Sequence, residues 1–258
     1  MQDLKIAIPS CGRSKDKGTA EYLCDMGVDP SSIYIFVQNT EDDEAYHRDK
    51  ADIGVNVVFR EADFVTKARN NILDYFYSGD TFPDILMLDD DIQRIDKLSG
   101  KGLSAIENAE QFYDEMGRCF DFARKQGVWL WGVYPTDNAY FMSKTISTIV
   151  TVNTLIAFVG RKEWKSLRFD NHFKMKEDIE LCSRLLSTGN KVFRYDYLAI
   201  KAKHRTNKGG CYDAWKTNEN AKSVHWLLKR YPQLLAKNCK RNGEVRVKVR
   251  DEKIKIGE

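Results

Sequence analysis

The sequence predicts an α/β fold in which a Rossmann-like central sheet of mostly parallel strands is flanked by helices. The first observation is a rhythm of short apolar runs, each followed by a helical or turn segment, which is typical of parallel sheets. The second is an apolar run that ends abruptly in three aspartates, as a buried strand does when its carboxyl end opens into a site. The predicted strands in the first part of the chain are residues 5–9, 31–37, 56–59 and 84–88.

Helical periodicity occupies the intervals between these strands and continues beyond them. Apolar residues recur every three or four positions in several segments, which indicates helices with one buried face. The predicted helices are residues 17–26, 64–76, 106–123, 173–188 and 218–231. Residues 97–104, rich in Gly, Ser and Lys, are predicted to form a loop, and so is the acidic stretch 40–49 apart from one helical turn.

Composition favours a soluble enzyme-sized domain in a reducing compartment. The 258 residues are 42% hydrophobic, which is enough for a substantial core. Six cysteines lie far apart with no C-x-x-C pair, and no secretory signal precedes the first strand, so we expect reduced thiols and a cytoplasmic location. The longest apolar stretch, residues 146–160, is too short and too polar to span a membrane.

The carboxyl-terminal part of the chain is strongly basic. Residues 201–258 hold 16 Lys and Arg against 6 Asp and Glu, a surplus of +10, whereas the first 200 residues carry −7. We therefore predict a catalytic domain over 1–212 and a basic extension over 213–258, packed on the same domain. The surplus indicates a polyanionic partner, although a solvated basic tail would give the same count.

Strict alternation from Val245 to Ile256 predicts that the extension ends in a β-hairpin. A turn at Asp251 and Glu252 would pair Val249 with Ile254 and place basic side chains opposite one another on the other face. Such a ladder is typical of a surface that faces phosphates, or of lysines that protect an exposed sheet edge.

The run from Ile85 to Ile92 ends in Asp89, Asp90 and Asp91. Three adjacent carboxylates repel one another unless a cation neutralises them. Because side chains alternate along a strand, Asp89 and Asp91 are expected to point the same way. Hard carboxylate oxygens suit Mg²⁺ or Mn²⁺. The alternative interpretation is an acidic turn that caps the strand.

Other polar residues follow the neighbouring strands or begin the predicted helices. If the strands are parallel, the loop from Pro9 to Arg13, Gln38 after the second strand and the aspartates meet at one edge of the sheet. Lys67, Arg69 and Asn70 near the start of helix 64–76 could equally form a solvated face. Glu177 and Asp178 occupy a first helical turn, where the helix dipole alone favours acids.

Five short motifs, taken in order, carry a resemblance that covers residues 4–210. They are Ile8-Pro9-Ser10 with Arg13, Val37-Gln38-Asn39, Ala68-Arg69-Asn70, Leu88-Asp89-Asp90-Asp91 and Lys176-Glu177-Asp178. Together they resemble the GT-A glycosyltransferases. The resemblance implies a UDP-sugar donor, a Mn²⁺ or Mg²⁺ ion and transfer to an acceptor hydroxyl by an inverting displacement.

The resemblance also implies a role for each residue. Asp178 would be the general base, oriented by Glu177, and Asp91 and His204 would hold the metal. The expected donor-binding residues are Pro9, Ser10, Arg13, Gln38, Lys67, Arg69, Asn70, Asp89 and Asp90, and for the leaving phosphates Arg205, Lys208, Gly209 and Gly210.

Within the GT-A group, the first-strand, second-strand and aspartate motifs, with the ending from His204 to Gly210, look like the glycosyltransferases that modify hydroxymethylated pyrimidines in DNA. These include the base J glucosyltransferase and phage enzymes acting on 5-hydroxymethylcytosine. The acceptor would then be duplex DNA, in host cytoplasm if the enzyme is phage-encoded. Trp129, Trp131 and Tyr134 would be candidates to stack on a flipped base, unless they belong to the core.

Three other functions remain compatible with parts of the sequence. A GT-A enzyme with a glycan or protein acceptor would use the same donor residues. A GT-A-shaped DNA-binding module without catalysis would not need Asp91, Asp178 and His204 together. A metal-dependent phosphohydrolase or nuclease would need a second cluster of His and Asp, which the sequence lacks.

Overall fold

A central β-sheet organises the protein in the computed structural model, which describes residues 3–100, 102–203, 218–239 and 243–256. The strands are β1 (Leu4–Ser10), β2 (Ile33–Val37), β3 (Asn56–Phe59), β4 (Asp84–Leu88), β5 (Ile92–Ser99), β6 (Gly102–Ala105), β7 (Leu130–Tyr134), β8 (Thr145–Ser147), β9 (Leu155–Phe158), β10 (Phe193–Ala202), β11 (Leu235–Lys237), β12 (Val245–Val247) and β13 (Lys253–Lys255). The helices are α1 (Thr19–Asp25), α2 (Thr40–Asp49), α3 (Val65–Tyr77), α4 (Ala109–Lys125), α5 (Glu177–Ser187) and α6 (Glu219–Arg230).

The topology places several strand ends at one edge of the sheet. Its strand order is β13-β8-β10-β7-β9-β4-β1-β2-β3, and the segment β4-β1-β2-β3 is entirely parallel, as predicted. The other half is mixed: β9 is antiparallel to both β4 and β7, so β7 runs in the same direction as β4. The carboxyl ends of β1, β2, β4 and β7 therefore share one edge, where ligands bind in open α/β sheets.

Helices cover both faces of the sheet, as the predicted α/β class requires. Along β4, Leu86 and Leu88 join one hydrophobic cluster with residues of α1 and α4, whereas Ile85 and Met87 join a second cluster with α3 and α5. This alternation is the period of two that a strand buried on both faces shows.

Two segments predicted as loops have regular structure. Residues 40–49 form helix α2, which begins at the cap Asn39, whose side chain accepts from the N–H of Asp42. Within the segment 97–104, residues 97–99 and 102–104 belong to the antiparallel pair β5–β6, and Gly100 is in the left-handed region at φ 57°. The loop predictions were wrong here because polar composition conceals β5, which is held by its pairing with β10.

The basic extension contains a hairpin, but the strands differ from those predicted. Strand β11 pairs with β12, whereas β13 pairs with β8 at the end of the central sheet. The predicted turn at Asp251 was wrong because its carboxylate accepts from the N–H groups of Thr148 and Ile149, each at 2.9 Å. This arrangement also avoids the ladder of like charges. The predicted boundary at residue 212 lies outside the described residues and stays a prediction.

The amino end of α1 packs against the turn that carries the aspartates. The Thr19 N–H donates to the Asp90 carbonyl at 3.2 Å, and its hydroxyl donates to the Asp89 carbonyl at 2.6 Å. The same hydroxyl accepts from the N–H of Ile92 at 2.9 Å. A Cβ atom at Gly18 would lie 2.6 Å from the Asp90 carbonyl oxygen, so this contact requires glycine.

None of the helices in the described parts of the chain is long and apolar enough to cross a membrane. The cysteines within the same residues, Cys11, Cys24, Cys119, Cys182 and Cys239, are free thiols, as the sequence predicted. A cytoplasmic location stays a prediction.

Gly18→Ala is expected to destabilise the protein by about 1–3 kcal/mol, because the added methyl group must displace the aspartate turn or α1. Urea titration would measure the free energy of unfolding. Gly79→Ala is the matched control, since a Cβ atom there meets nothing within 4 Å. Equal losses in the two variants would contradict the close packing at Gly18.

Candidate active site

The predicted meeting of strand ends is confirmed by direct contacts between the loop after β1 and the loop after β4. The Ser10 hydroxyl donates to Asp90 Oδ2 at 2.5 Å, and the Arg13 guanidinium forms an ion pair with the same carboxylate. Burial raises the pKa of Asp90, and the Arg13 charge opposes that shift. Asp90 therefore fixes the loop that follows β1, and its predicted contact with the donor stays a prediction.

Helix α2 supports this loop from the other side. The Tyr46 hydroxyl lies 2.6 Å from Ser10 Oγ and accepts from the N–H of Arg13 at 3.1 Å. The Asp42 carboxylate accepts from the N–H of Gly12 at 3.0 Å. Neither Tyr46 nor Asp42 could be selected from the sequence, because the polar composition of residues 40–49 is typical of an acidic loop.

The other residues predicted to contact the donor near these strand ends lie as expected. Pro9 and Gln38 are half-buried at the ends of β1 and β2. Lys67 is half-buried in the first turn of α3, two positions before Arg69. Their contacts with a donor stay predictions. The cavity beneath the loop, which Lys50 also lines, measures about 20 Å³, room for about one water molecule, so a nucleotide would lie outside it.

Arg69 joins three elements that are distant in sequence. Its Nη2 lies 3.2 Å from Asp89 Oδ1 at the end of β4, and its Nη1 lies 2.9 Å from Glu177 Oε1 at the start of α5. The guanidinium is buried in the middle of α3, and Glu177 is buried as well. A planar guanidinium with several donors is suited to hold two carboxylates in fixed positions.

Asp178 completes a group that we call the Arg69 cluster: Arg69, Asp89, Glu177 and Asp178. Asp178 accepts from the N–H of Ile179 at 2.8 Å, and the Arg69 charge acts on it. Burial raises the pKa of Asp89 to about 6 and that of Glu177 to about 7, and it raises the pKa of Asp178 as well, while Arg69 opposes each shift. Three carboxylates surround one guanidinium, so the cluster has an excess of negative charge that a further cation would relieve.

The start of α5 is set by an unusual backbone conformation. Lys176, just before the helix, is in the left-handed region at φ 61°, the one such non-glycine residue in the described chain. Its side chain is nearly buried and pairs with Glu244 of the extension, with 2.6 Å between Nζ and Oε2. Left-handed conformations of this kind persist when surrounding contacts hold them. Here the helix begins directly after Lys176, and Glu177 in its first turn pairs with Arg69.

Asn70 is bonded through its side-chain amide to the segment before α5. Its side-chain amide donates to the Phe169 carbonyl at 2.9 Å and to Asn171 Oδ1 at 3.0 Å, and its Oδ1 accepts from the N–H of Phe169 at 2.8 Å. With its amide groups bonded in this way, Asn70 joins α3 to the segment before α5. These contacts hold α3 against the segment before α5, and the predicted contact of Asn70 with a donor stays a prediction.

The predicted stacking role of the two tryptophans was wrong. Trp131 is fully buried, with Phe120 and Tyr195 against its ring. Trp129 precedes β7 and so lies at the opposite edge of the sheet, where Arg161 stacks on it at 4.1 Å. Tyr134 is at the expected edge, but the Arg194 guanidinium lies 4.9 Å from its ring centre. Aromatic content could not reveal these positions, because they depend on strand direction.

Of the two candidate metal ligands, Asp91 is among the described residues and His204 is not. Asp91 lies in the turn after β4, close enough to Asp89 and Asp90 for its charge to act on both. Its carbonyl accepts from the N–H of Lys203 at 3.1 Å. The residue after Lys203 is His204, which lies outside the described residues together with Arg205, Lys208, Gly209 and Gly210.

The carboxylates fit a Mg²⁺ or Mn²⁺ ion that is shared with a substrate. Within the described residues, no group of three His, Cys, Asp or Glu side chains could hold a metal by itself. Magnesium sites commonly use one or two carboxylates, with phosphates and water completing the coordination. Asp91 with a diphosphate corresponds to that pattern, and the excess negative charge of the neighbouring Arg69 cluster favours a cation.

Glu177→Gln is expected to change how stability depends on pH. Burial raises the pKa of Glu177 from 4.5 to about 7, so the folded protein holds a proton that the unfolded chain has released. Stability of the wild-type protein therefore falls as pH rises between these values. The neutral amide of the variant does not titrate, so this loss is absent. The free energy of unfolding of the variant should therefore rise relative to that of wild type by up to about 1.4 kcal/mol per pH unit.

Urea titrations between pH 4 and pH 8 would measure this difference. Glu110→Gln, at an exposed position of α4, controls for the substitution itself. A difference between Glu177→Gln and wild type that stays flat across the range would contradict the buried, proton-binding state of Glu177.

Comparison with known proteins agrees with this geometry. The fold resembles a mannosyltransferase from Pyrobaculum calidifontis, solved with GDP-Man and Mn²⁺, at 12% identity and a TM-score of 0.51 over 87% of this chain. The chain spans 64% of that protein. It also resembles glucosyl-3-phosphoglycerate synthase from Mycobacterium tuberculosis, solved with Mn²⁺, UDP and glucosyl-3-phosphoglycerate, at 12% identity and a TM-score of 0.52, covering 90% of this chain and 80% of that one.

At this identity the two structures show the fold, and they confirm the predicted GT-A architecture. No curated protein sequence matches the chain. The sequence model of one family, however, matches residues 4–210, the same range over which the motifs were found. The chain therefore belongs to the TET-associated glycosyltransferase family.

Proposed function

We propose that the protein transfers a sugar from a UDP-sugar to the hydroxyl group of a hydroxymethylated pyrimidine, 5-hydroxymethylcytosine, in duplex DNA. The observation that carries the proposal is the Arg69 cluster, which gathers Asp89, Glu177 and Asp178 at the sheet edge where the donor-binding strands end. Transfer of a glycosyl group requires a carboxylate base and a site for a charged leaving group at one place.

The donor would lie over the ends of β1, β2 and β4. Asp91 and His204 would hold a divalent metal, and Arg205 and Lys208 with the backbone at Gly209 and Gly210 would contact the phosphates. The metal, when bound, neutralises negative charge on the departing UDP. Support comes from the fit of the carboxylates and from the two structural relatives, whose structures contain Mn²⁺ with a nucleotide.

The base would be Asp178. A hydroxyl group is a weak nucleophile until its proton can leave, and a half-buried carboxylate with a raised pKa accepts a proton more readily than a solvated one. Glu177 and Arg69 would hold Asp178 in place from the same helical turn and from α3. In an inverting displacement the acceptor oxygen bonds to the anomeric carbon as UDP departs, and its proton goes to Asp178.

The acceptor is proposed from the resemblance of the motifs and from charge. Residues 1–212 would form the catalytic domain and the basic extension, 213–258, would contribute phosphate contacts. Strand β13 of the extension is an edge strand of the central sheet and presents Lys253 and Lys255 at its surface. A glycan or protein acceptor would leave this basic surface without a role, which is the difference that the first experiment tests.

The deciding experiment is incubation of the protein with individual UDP-sugars, Mn²⁺ and duplex DNA that contains 5-hydroxymethylcytosine. Nucleosides released by digestion are then analysed by mass spectrometry. We expect the modified nucleoside to gain the mass of one hexose or pentose, and DNA with unmodified cytosine to gain none. UDP release without any change in nucleoside mass, but with a glycan or protein acceptor modified, would overturn the DNA acceptor.

Asp178→Asn is expected to reduce the transfer rate by about 10²–10⁴-fold, because the amide cannot accept the proton. UDP affinity, measured by calorimetry in the presence of Mn²⁺, should stay within about threefold of wild type. Asp74→Asn, at an exposed position of α3, is the control and should transfer normally. Full activity in Asp178→Asn would remove Asp178 from the mechanism.

Asp91→Ala is expected to abolish sugar transfer in the presence of Mn²⁺. The circular dichroism spectrum of the variant should match that of wild type, because the substitution leaves the fold intact. A variant that still transfers sugar would contradict the metal role of Asp91.

Binding to duplex DNA is expected to weaken steeply with salt, because phosphate contacts release counterions. With about five contacts, affinity should fall by roughly 10²–10³-fold between 50 and 200 mM salt. Fluorescence anisotropy of labelled DNA would measure this, and an affinity independent of salt would contradict a phosphate-binding surface.

A further inference from the structure

Two aromatic side chains project into solvent from the loop that joins β7 to β8. Tyr140 is 86% exposed and Phe141 is 60% exposed, and they lie on a single 3-10 turn, Ala139–Phe141. Their rings pack edge to face with 5.0 Å between centres. Large apolar side chains that are this exposed, and adjacent, indicate a surface that contacts a partner.

The loop that carries these rings is anchored on both sides. Asp137 pairs with Arg94 of β5 across 3.9 Å, and the Ser143 N–H donates to the Asp196 carbonyl of β10 at 3.2 Å. Asn138 caps the 3-10 turn by accepting from the N–H of Tyr140 at 3.1 Å. The aromatic pair is therefore presented by a fixed loop, so its exposure belongs to the folded arrangement.

The pair lies at the same sheet edge as the Arg69 cluster. Strand β7 runs in the direction of β4, and in register Gly132 lies across β9 from Met87. The loop after Tyr134 therefore leaves the sheet at the level of Asp89. Two strand spacings separate β7 from β4, which is about 10 Å. The loop and the turn that carries the aspartates thus leave neighbouring parts of one sheet edge, which a single duplex lying along that edge could contact.

The surface beside the loop is basic. Lys144 is exposed at the end of the loop, and its carbonyl accepts from the N–H of Ile256 next to β13. Lys255 of β13 is exposed opposite Thr145. The nearby acids have cationic partners: Asp137 pairs with Arg94, and Asp196 pairs with both Arg194 and Lys253. Apolar rings beside lysines complement stacked bases beside phosphates.

We propose that Tyr140 and Phe141 form a wedge, which we call the aromatic wedge, that enters duplex DNA beside the target pyrimidine and fills the place it leaves in the base stack. Lys144 and Lys255 hold the phosphates on the same side. A base inside a duplex cannot reach Asp178 until it is unstacked, and apolar wedges stabilise unstacked DNA in other proteins. This inference rests on the proposed function, because it assigns the means by which that acceptor is reached.

The test compares wild type with the double variant Tyr140→Ala/Phe141→Ala. The probe is duplex DNA with 2-aminopurine next to 5-hydroxymethylcytosine, whose fluorescence rises when the neighbouring base leaves the stack. Without donor, wild type should raise the fluorescence and the double variant should not. With donor, kcat/KM on the duplex should fall at least about tenfold, since aromatic stacking on a base typically accounts for a loss of this size.

Single-stranded DNA that contains 5-hydroxymethylcytosine distinguishes the role of the wedge from catalysis, because its target base does not have to leave a duplex. On this substrate the double variant should have the same kcat/KM as wild type. Tyr75→Ala removes another exposed aromatic ring, on α3, and controls for loss of surface aromatic area. Equal fluorescence and equal duplex kinetics in wild type and double variant would overturn the wedge. So would an equal loss on single strands. Failure of wild type to modify any hydroxymethylated DNA would instead overturn the proposed function.

Discussion

The buried guanidinium of Arg69 is the interaction on which the arrangement of the site depends. It binds the carboxylates of Asp89, just after β4, and Glu177, at the start of α5, which lie far apart in sequence. Removing one partner of a buried ion pair leaves an uncompensated charge, which is strongly destabilising. The three elements must therefore be assembled before the acids have their positions, so the site forms when the sheet and both helices are in place.

The three consecutive aspartates illustrate how the protein manages adjacent like charges. Asp89 is paired with Arg69, and Asp90 is paired with Arg13. These two adjacent aspartates are thus paired with different guanidinium groups, that of Arg69 on α3 and that of Arg13 in the loop after β1. The metal role that the proposed function gives to Asp91 concerns the third aspartate, whose carbonyl accepts from the N–H of Lys203. The charge excess of the Arg69 cluster would then be relieved when donor and metal bind, which couples ligand binding to stability.

Much of the fold could be predicted because its signals are local. The apolar runs and helical stripes identified β1, β2, β3 and β4, and the order of motifs identified the GT-A architecture. The predictions that were wrong concern features that depend on contacts between residues distant in sequence. The alternation argument for Asp89 and Asp91 assumed a strand, but β4 ends at Leu88 and the aspartates lie in a turn.

The same limit explains the errors among the site residues. Arg69 and Asn70 look equivalent in sequence, yet one helical step directs Arg69 toward the carboxylates and Asn70 toward residues 169–171. The tryptophans of β7 were selected for their chemistry, and strand direction placed Trp129 at the wrong edge. Exposure, which sequence does not reveal, distinguishes Tyr140 and Phe141 from the buried aromatics.

The described parts of the basic extension are bonded to the rest of the fold. Glu244 holds Lys176 at the start of α5, and Asp251 holds the backbone after β8. Glu244 precedes β12 and Asp251 precedes β13, which itself pairs with β8, so the extension is held both at the start of α5 and beside the loop before β8. A duplex bound by its lysines would consequently meet the catalytic carboxylates in one orientation. From the sequence alone, the basic residues of the extension indicate only non-specific affinity for a polyanion. Held in place by these contacts, they would also orient the acceptor.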